Sequence, residues 1–141
     1  MQEEEQKVEK KYLLNKFLKM IKFKSLNKSS QFLEILKKKK IHTKYFTVYF
    51  SKNLKNSKRE VKKYLNISFV MKKNIGNSVI RNKIKRKLKY AVQKISKKNK
   101  LIDLNYTYVI FGKNNVYKDK FKNILSEVNE TFKKIKQIES H

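Results

Sequence analysis

The stretch that most restricts the structure of this chain reads Gly76-Asn77-Ser78-Val79-Ile80-Arg81-Asn82-Lys83-Ile84-Lys85-Arg86. It holds one of the two glycines and two of the three arginines, although the chain has 38 Lys+Arg residues. Glycine permits unusual backbone angles and asparagine caps free N–H groups, so the pair predicts a helix start. That start is either an ordinary capped turn or a seat for a phosphate. Arginine presents a planar fork of donors that fits phosphate oxygens better than lysine does.

Hydrophobic residues continue after this start at helical spacing. They are Ile80, Ile84, Leu88, Ala91 or Val92, and Ile95. Recurrence every three or four residues predicts an amphipathic helix over residues 78–98, with the apolar stripe packed on the rest of the domain. Arg81, Lys85 and Lys89 are four residues apart and therefore share another face of the same helix.

This cationic face has no acidic neighbours in the sequence. Lys83 and Arg86 flank it, and no Asp or Glu occurs between Glu60 and Asp103. Because like charges repel one another, a polyanionic partner would stabilise such a surface. The formal net charge of +27 and the pI of about 10.2 favour the same conclusion. A general bias toward Lys, Asn and Ile is the alternative explanation for part of this charge.

Composition argues against several classes of protein. The chain has no cysteine, which excludes disulfides and thiolate metal sites. His42 and His141 are far apart, and Asp103 and Asp119 are the only aspartates, so we expect no hydrolytic site and no small-molecule substrate. The opening Glu3–Glu5 is the reverse of a secretory signal, and no apolar run approaches about 18 residues. We therefore expect a cytoplasmic protein that does not span a membrane.

The rest of the chain predicts further helices and strands. Helices are expected over residues 1–24, 26–39 and 116–138, strands over 45–50, 64–71 and 105–111, and a polar loop over 51–60. Asn27 or Ser29 is expected to cap the second helix. Strands interleaved with amphipathic helices predict an α+β domain. Two other interpretations of the first segment remain open. It is either a poorly ordered appendage, or translation starts at Met20 and residues 1–19 are not part of the protein.

The strand Tyr-Phe-Thr-Val-Tyr-Phe predicts two different faces. Phe46, Val48 and Phe50 point to one side and are expected in the core, whereas Tyr45 and Tyr49 point to the other. Exposed tyrosines beside a basic helix suit base stacking on single-stranded RNA. Tyrosine is also a common residue on a half-covered strand face, and composition favours neither interpretation.

The opening stretch resembles the signature of a family, the protein subunit of bacterial ribonuclease P. That signature is a Gly-Asn-Ala-Val-x-Arg-Asn-Arg-x-Lys-Arg-like run that leads a helix, and residues 76–86 match it after Lys72-Lys73. The order of elements agrees as well, with Phe32 in an upstream helix and Phe46 to Tyr49 in a strand. The resemblance covers roughly residues 24–136.

The resemblance implies a two-layer α-β sandwich like the second domain of ribosomal protein S5. One mixed sheet of about four strands would carry the helices, with a left-handed βαβ crossover that is unusual in proteins. The domain would span residues 24–138, between a helical or disordered extension at 1–23 and a tail at 139–141. It further implies a ribonucleoprotein enzyme in which RNA is the catalyst. With Mg²⁺ bound by the RNA subunit and substrate, that enzyme removes the 5′ leader of precursor tRNA.

The resemblance also assigns site residues by position. The residues expected to bind the catalytic RNA are Lys72, Lys73, Asn77, Arg81, Asn82, Lys83, Lys85, Arg86 and Lys89. Phe32, Leu36 and Tyr49 would line the leader cleft, and Tyr45 joins them as an exposed tyrosine of the same strand. No catalytic residue and no metal ligand is expected in this chain.

Three positions depart from the family pattern. Lys83 stands where the signature has an arginine, Asn74 is an insertion before Gly76, and Leu36 replaces a common aromatic residue. Two other functions remain as alternatives, a ribosomal-type protein that buries its basic surface in rRNA and a non-specific DNA binder. Diffuse charge alone would serve the DNA binder, so the spaced motif and the exposed aromatics argue against it.

Overall fold

Strands and helices are mixed along residues 22–53, 64–98 and 101–139, the part of the chain that the computed structural model describes. In chain order they are β1 (Lys22–Lys24), α1 (Ser29–Ile35), β2 (Lys39–His42), β3 (Phe46–Lys52), β4 (Tyr64–Val70), α2 (Ser78–Lys98), β5 (Tyr106–Gly112), α3 (Asn115–Lys118) and α4 (Phe121–Glu139). A 3-10 turn at Lys73–Ile75 lies between β4 and α2.

The described strands form one mixed sheet in the order β1-β4-β5-β3-β2. β1, β4 and β5 are parallel to one another, whereas β3 pairs antiparallel with both β5 and β2. The parallel neighbours β4 and β5 are joined through α2, which makes a βαβ crossover whose left hand stays a prediction. The predicted mixed sheet with packed helices is confirmed, with five strands instead of about four.

The two long helices cover one face of the sheet, which we call the core face. The predicted apolar stripe of α2 is buried from Ile84 to Ile95, and Ile80 at its start is half-buried. From α4, Phe132 packs edge-on against Tyr108 of β5, with 5.2 Å between ring centroids. Phe46 of β3 is fully buried on this face, as the alternation predicts. Each large side chain buried in this way stabilises the fold by about 1.5–3 kcal/mol.

The opposite face, which we call the open face, carries the short helix α1. Register pairs Thr47 with Phe111 and Tyr49 with Val109, so these residues of β3 and β5 share that side. α1 contacts both strands, and its Phe32 lies 6.1 Å from Phe111 between ring centroids. Tyr49 and Phe111 are half-buried on this face, whereas Thr47 and Val109 beside them are buried.

The first two predicted helices differ from the structure. Lys22–Lys24 is a strand paired with β4, so the prediction of a helix over residues 1–24 is wrong at its end. This strand also adds residues 22 and 23 to the sheet, ahead of the expected domain start. Residues 1–21 lie outside the described residues, as does most of the predicted loop 51–60.

The second helix is shorter than predicted, and it has neither expected cap. α1 spans Ser29–Ile35, its N-cap position is Lys28, and no side chain caps it. The backbone N–H groups of Lys37 and Lys38 donate hydrogen bonds to the carbonyls of Glu34 and Ile35, and the helix ends in this tight turn. Continuing the helix would place lysines of the 37–40 run one turn apart, where they repel one another. Pairing with β3 instead satisfies the backbone of β2.

The predicted helix over residues 116–138 is two helices. Asp119 has extended backbone angles, and its carboxylate accepts hydrogen bonds from the Lys120 N–H at 2.7 Å and from Asn123 Nδ2 at 2.8 Å. An aspartate that bonds to nearby N–H groups offers the backbone an alternative to continuing the helix. The chain therefore turns at Asp119, and α4 begins two residues later.

Candidate nucleic-acid interface

The start of α2 has the geometry that its sequence predicts. Asn77 Oδ1 accepts a hydrogen bond from the Ile80 N–H at 3.0 Å, so its role as a helix cap is confirmed. Gly76 has φ of 158° and ψ of −173°, a region that is essentially reserved for glycine. A Cβ at Gly76 would also lie 3.1 Å from Ile80 Cγ2. The backbone angle therefore favours glycine, and any larger residue would also displace the Ile80 side chain by a few tenths of an ångström.

The outer side of α2 is a cationic surface. Its exposed members are Asn82, Lys83, Lys85, Arg86 and Lys89. None of the three ion pairs found within the described residues involves a side chain of α2. Arg81 is half-buried, and its Nε is buried without a hydrogen-bond partner in the described part of the chain. The arginine is thus held close to the domain.

Lys83 and Lys87 are turned toward α3. The Lys83 ammonium lies 5.7 Å from the ring centroid of Tyr117, within cation–π range. Lys87 Nζ donates to the carbonyls of Val116 at 3.1 Å, Tyr117 at 3.2 Å and Asp119 at 3.2 Å. A cation at the end of a helix neutralises carbonyls that have no partner within the helix. Lys87 therefore holds α3 against α2, and its ammonium group is occupied by hydrogen bonds within the fold.

The two lysines before α2 lie in different surroundings. Lys72 Nζ is 5.8 Å from the ring centroid of Phe111, which places it at the open face. Lys73 is exposed in the 3-10 turn. The structure thus brings Lys72 to the predicted leader residues and not to the outer side of α2.

An aromatic cluster occupies the open face beneath α1, formed by Phe32, Tyr49 and Phe111. Tyr49 and Phe111 meet edge-on with 5.6 Å between ring centroids, and Phe32 approaches Phe111 from α1. All three side chains are half-buried. The Lys40 ammonium lies 5.8 Å from the Tyr49 ring centroid. Proteins that bind single-stranded nucleic acid commonly combine accessible aromatic rings with nearby cations, as this cluster does.

The remaining two predicted leader residues have different surroundings. Leu36 is half-buried at the carboxyl end of α1. Tyr45 is 5% exposed and belongs to the hydrophobic core, so the prediction that it is an exposed tyrosine is wrong. It precedes β3 and points to the α3–α4 junction, where its hydroxyl donates to Asp119 Oδ2. Strand alternation did not apply to a residue that lies before the strand begins.

The contact between Tyr45 and Asp119 shifts both groups. The hydrogen bond to Asp119 and burial raise the pKa of Tyr45 to about 12. In turn, hydrogen bonds from Tyr45, Asn123 and the Lys120 N–H lower the pKa of Asp119 to about 2. Lys44 adds an ion pair to Asp119 at 3.9 Å. These are the features of a structural junction, since each polar group is held by partners within the fold.

Sequence reasoning missed Phe111 and Lys40 at the open face. Phe111 lies in the predicted strand over residues 105–111, but its neighbours across the strands were not apparent without the strand order. Lys40 directly follows the predicted helix over residues 26–39, but in the structure it lies in β2 opposite Tyr49. The missing signal for both residues was strand pairing, which depends on contacts distant in sequence.

The described residues contain neither a cluster of metal ligands nor a helix suited to crossing a membrane. Within residues 22–53, 64–98 and 101–139, no group of three or more His, Cys, Asp and Glu is placed to hold a metal ion. No helix in these ranges has the length and apolar character that crossing a membrane requires.

Comparison with known proteins agrees with this geometry. The ribonuclease P family model matches residues 20–136. The ribonuclease P protein component of Mesoplasma florum is 32% identical over 108 residues, which are 76% of this chain and 90% of that protein. The chain belongs to the ribonuclease P protein family. Membership supports a role in the ribonuclease P ribonucleoprotein, and so in tRNA processing, as the signature predicts.

Solved structures of the family share the fold. The RNase P protein from Thermotoga maritima has a TM-score of 0.61 at 22% identity, over 79% of this chain and 96% of that one. The RNase P protein of Staphylococcus aureus has a TM-score of 0.58 at 23% identity, over 79% and 93% of the two chains. At this identity the likeness concerns the fold alone. The residue assignments therefore depend on the surfaces described above.

Proposed function

We propose that this chain is the ribonuclease P subunit that binds both the catalytic RNA and the 5′ leader of precursor tRNA, and promotes endonucleolytic removal of the leader. A cytoplasmic location is part of this proposal. The observation that carries it is the presence of two cationic surfaces of different character. One is the outer side of α2, and the other is the aromatic cluster beneath α1 with Lys40 and Lys72.

The outer side of α2 would hold the catalytic RNA. A structured RNA presents phosphates in a fixed array, and a helix presents cations in a fixed array. Arg86 and Lys89 are exposed and would supply the contacts with least adjustment, whereas the half-buried Arg81 would contact the RNA with the part of its guanidinium that is not buried. Lys83 has fewer N–H donors than the arginine that the signature has at this position. Its ammonium also lies over the Tyr117 ring, which limits how far the side chain can reach. We therefore expect Lys83 to contribute charge and not a forked contact.

The open face would hold the leader. Single-stranded RNA exposes its bases, which stack on aromatic rings whatever their sequence. Tyr49 and Phe32 flank Phe111, and lysines lie near Tyr49 and Phe111, so a base and its phosphate could be bound together. Tyr45 is not part of this surface in our proposal, because it is buried at the α3–α4 junction.

We place the chemistry of cleavage on the RNA. Mg²⁺ prefers a set of oxygen ligands such as clustered carboxylates, and the described residues offer no such cluster. In this proposal the metal is bound by the RNA subunit and substrate. The protein's contribution would be to bind and orient the two RNAs and to offset their mutual repulsion.

Reconstitution tests the proposal. The chain is added to its catalytic RNA, and cleavage of a precursor tRNA is followed at low Mg²⁺. We expect a clear acceleration, because the cations of the protein offset repulsion that Mg²⁺ otherwise has to screen. Unchanged cleavage at saturating protein would contradict the proposal. Binding to ribosomal RNA with equal affinity would favour the ribosomal-type alternative.

A further inference from the structure

A second group of aromatic residues lies between α2 and α4, away from the open face. Tyr90 of α2 is 51% exposed. Its ring centroid is 5.2 Å from that of Phe121, at the start of α4, with the ring planes inclined by 41°. The Lys94 ammonium lies 5.3 Å from the Tyr90 centroid and 5.7 Å from the Phe121 centroid. We call this pair of rings the helix platform.

The helix platform forms part of a groove with cationic walls. The groove has a volume of about 560 Å³, and its other lining residues are Arg86, Lys87, Lys89 and Gln93. The groove is wide open to solvent, so a flat base can reach the exposed Tyr90 ring. Lys87 is bound to the carbonyls of α3. Arg86 and Lys89 are exposed, and neither is in an ion pair with a described residue.

We infer that the helix platform is a second stacking site, which takes one unpaired base of the catalytic RNA into the groove between α2 and α4. The base would stack on Tyr90, and Arg86 and Lys89 would bind the phosphates on either side of it. The Gln93 amide is placed to bond to a base edge. This inference rests on the proposed function, because the RNA bound by α2 supplies the base.

The position of Lys94 is compatible with this role. A cation over a solvent-exposed ring is held more weakly than a stacked base. An incoming base can therefore displace the Lys94 side chain from the Tyr90 ring. The displaced ammonium remains beside the groove and can pair with a phosphate of the same nucleotide. The groove thus exchanges one weak internal contact for a stacked base and an ion pair.

A purely structural role for Tyr90 is the competing explanation. In that case the ring only shields Phe121 from water, and any apolar side chain of similar size would do the same. Tyr90→Leu separates the two roles, because leucine keeps apolar cover and removes the flat aromatic face. Tyr90→Phe keeps the face and removes only the hydroxyl.

The experiment measures the affinity of each variant for the catalytic RNA at one fixed salt concentration. We expect Tyr90→Leu to weaken binding about tenfold and Tyr90→Phe by less than about twofold, since stacking needs only the ring. Tyr64→Leu is the matched control, because Tyr64 is also 51% exposed and has the Lys24 ammonium 5.8 Å from its ring centroid. Tyr64 lies on β4, outside the groove, and its variant should bind as the unchanged chain does.

The possible outcomes distinguish this inference from the proposed function. If the unchanged chain binds the RNA and Tyr90→Leu matches Tyr64→Leu, the inference is wrong and the proposed function stands. If the unchanged chain does not bind the catalytic RNA, both fail. Ultraviolet crosslinking of the unsubstituted complex gives a second readout that needs no variant. A base adduct on the Tyr90 peptide supports the stacking site, and adducts confined to other aromatic residues contradict it.

Discussion

The two faces of the sheet both carry aromatic side chains, but the surroundings of these side chains differ. On the core face, Phe46 and Tyr108 are at most 1% exposed beneath the two long helices. On the open face, Tyr49 and Phe111 are half-buried, and lysine ammonium groups lie beside their rings. Complete burial of an aromatic ring stabilises the folded protein. Partial burial beside cations leaves part of a ring accessible, so in our proposal burial, and not residue type, separates structural aromatic residues from those that bind a base.

The largest difference is expected in stability when a ring is truncated on each face. Phe46→Ala should lower the free energy of unfolding by about 3–5 kcal/mol, because it leaves a cavity in the core. Phe111→Ala should cost distinctly less, since that ring is already partly hydrated. Urea denaturation of both variants measures the comparison. Phe46→Leu is a milder change that replaces the alanine variant if that variant does not fold. Equal losses of unfolding free energy at Phe46 and Phe111 would show that the open face is also core.

The next comparison separates two lysines of α2. Lys87→Met should lower the free energy of unfolding by about 1.5–3 kcal/mol, because hydrogen bonds from a charged group to three carbonyls are lost. Lys89→Met removes an exposed side chain and should change stability by less than about 0.5 kcal/mol. For RNA binding the order should reverse, with Lys89→Met causing the larger loss. Thermal melts and RNA titrations at matched salt test both statements, and equal melts would contradict the structural role of Lys87.

Much of the core face could be predicted from sequence because it depends on local periodicity. The helix Ser78–Lys98 and its buried stripe follow from residues three and four positions apart. The alternation of β3 likewise placed Phe46 in the core. These patterns repeat within one element, so one element suffices to predict them.

The open face depends on contacts between elements, and sequence reasoning captured it only in part. Phe32 and Tyr49 were identified, but Phe111, which joins them, required the pairing of β3 with β5. Tyr45 was misplaced because its partner, Asp119, is 74 residues away. The sequence does not distinguish Lys87 from the other lysines of α2, because its role depends on three carbonyls about 30 residues away in the chain. Long-range polar contacts have no local pattern.

Removing the Tyr49 ring tests whether the open face binds the leader. Tyr49→Ala should weaken the affinity of the holoenzyme for leader-bearing precursor tRNA by about 1–3 kcal/mol, if a base stacks on this ring. Leaderless tRNA is the control substrate, and its affinity should not change. An equal loss for both RNAs would show that Tyr49 does not distinguish the leader, and would contradict the assignment of this face.

A smaller effect is expected where the charge is kept and the geometry changed. Arg81→Lys should weaken binding of the catalytic RNA by about 1–2 kcal/mol, because a forked, charge-assisted contact becomes a single one. Lys85→Arg at the next turn is the converse control and should not weaken binding. Titrations at fixed salt measure both variants. Unchanged affinity for Arg81→Lys would mean that α2 supplies charge alone, without the geometry that the signature suggests.

The smallest effect is expected from the Tyr45–Asp119 contact at the extremes of pH. The pKa of Asp119 is lowered from 3.8 to about 2, so its contribution to stability is present above pH 3.8 and is lost as the pH falls toward 2. The pKa of Tyr45 is raised from 10.0 to about 12, so its contribution is complete below pH 10 and is lost as the pH rises toward 12.

Tyr45→Phe isolates this contact from the other titrating groups. Its hydroxyl is the largest cause of the Asp119 shift, so the variant should lose less stability than the unchanged chain between pH 3.8 and 2, and also between pH 10 and 12. Asp119→Asn should remove the acid-side dependence of this group altogether. Tyr106, whose pKa is also about 12, stays in both proteins, so the difference between melts reports Tyr45 alone. Superimposable pH profiles for Tyr45→Phe and the unchanged chain would mean that the junction does not depend on this hydrogen bond.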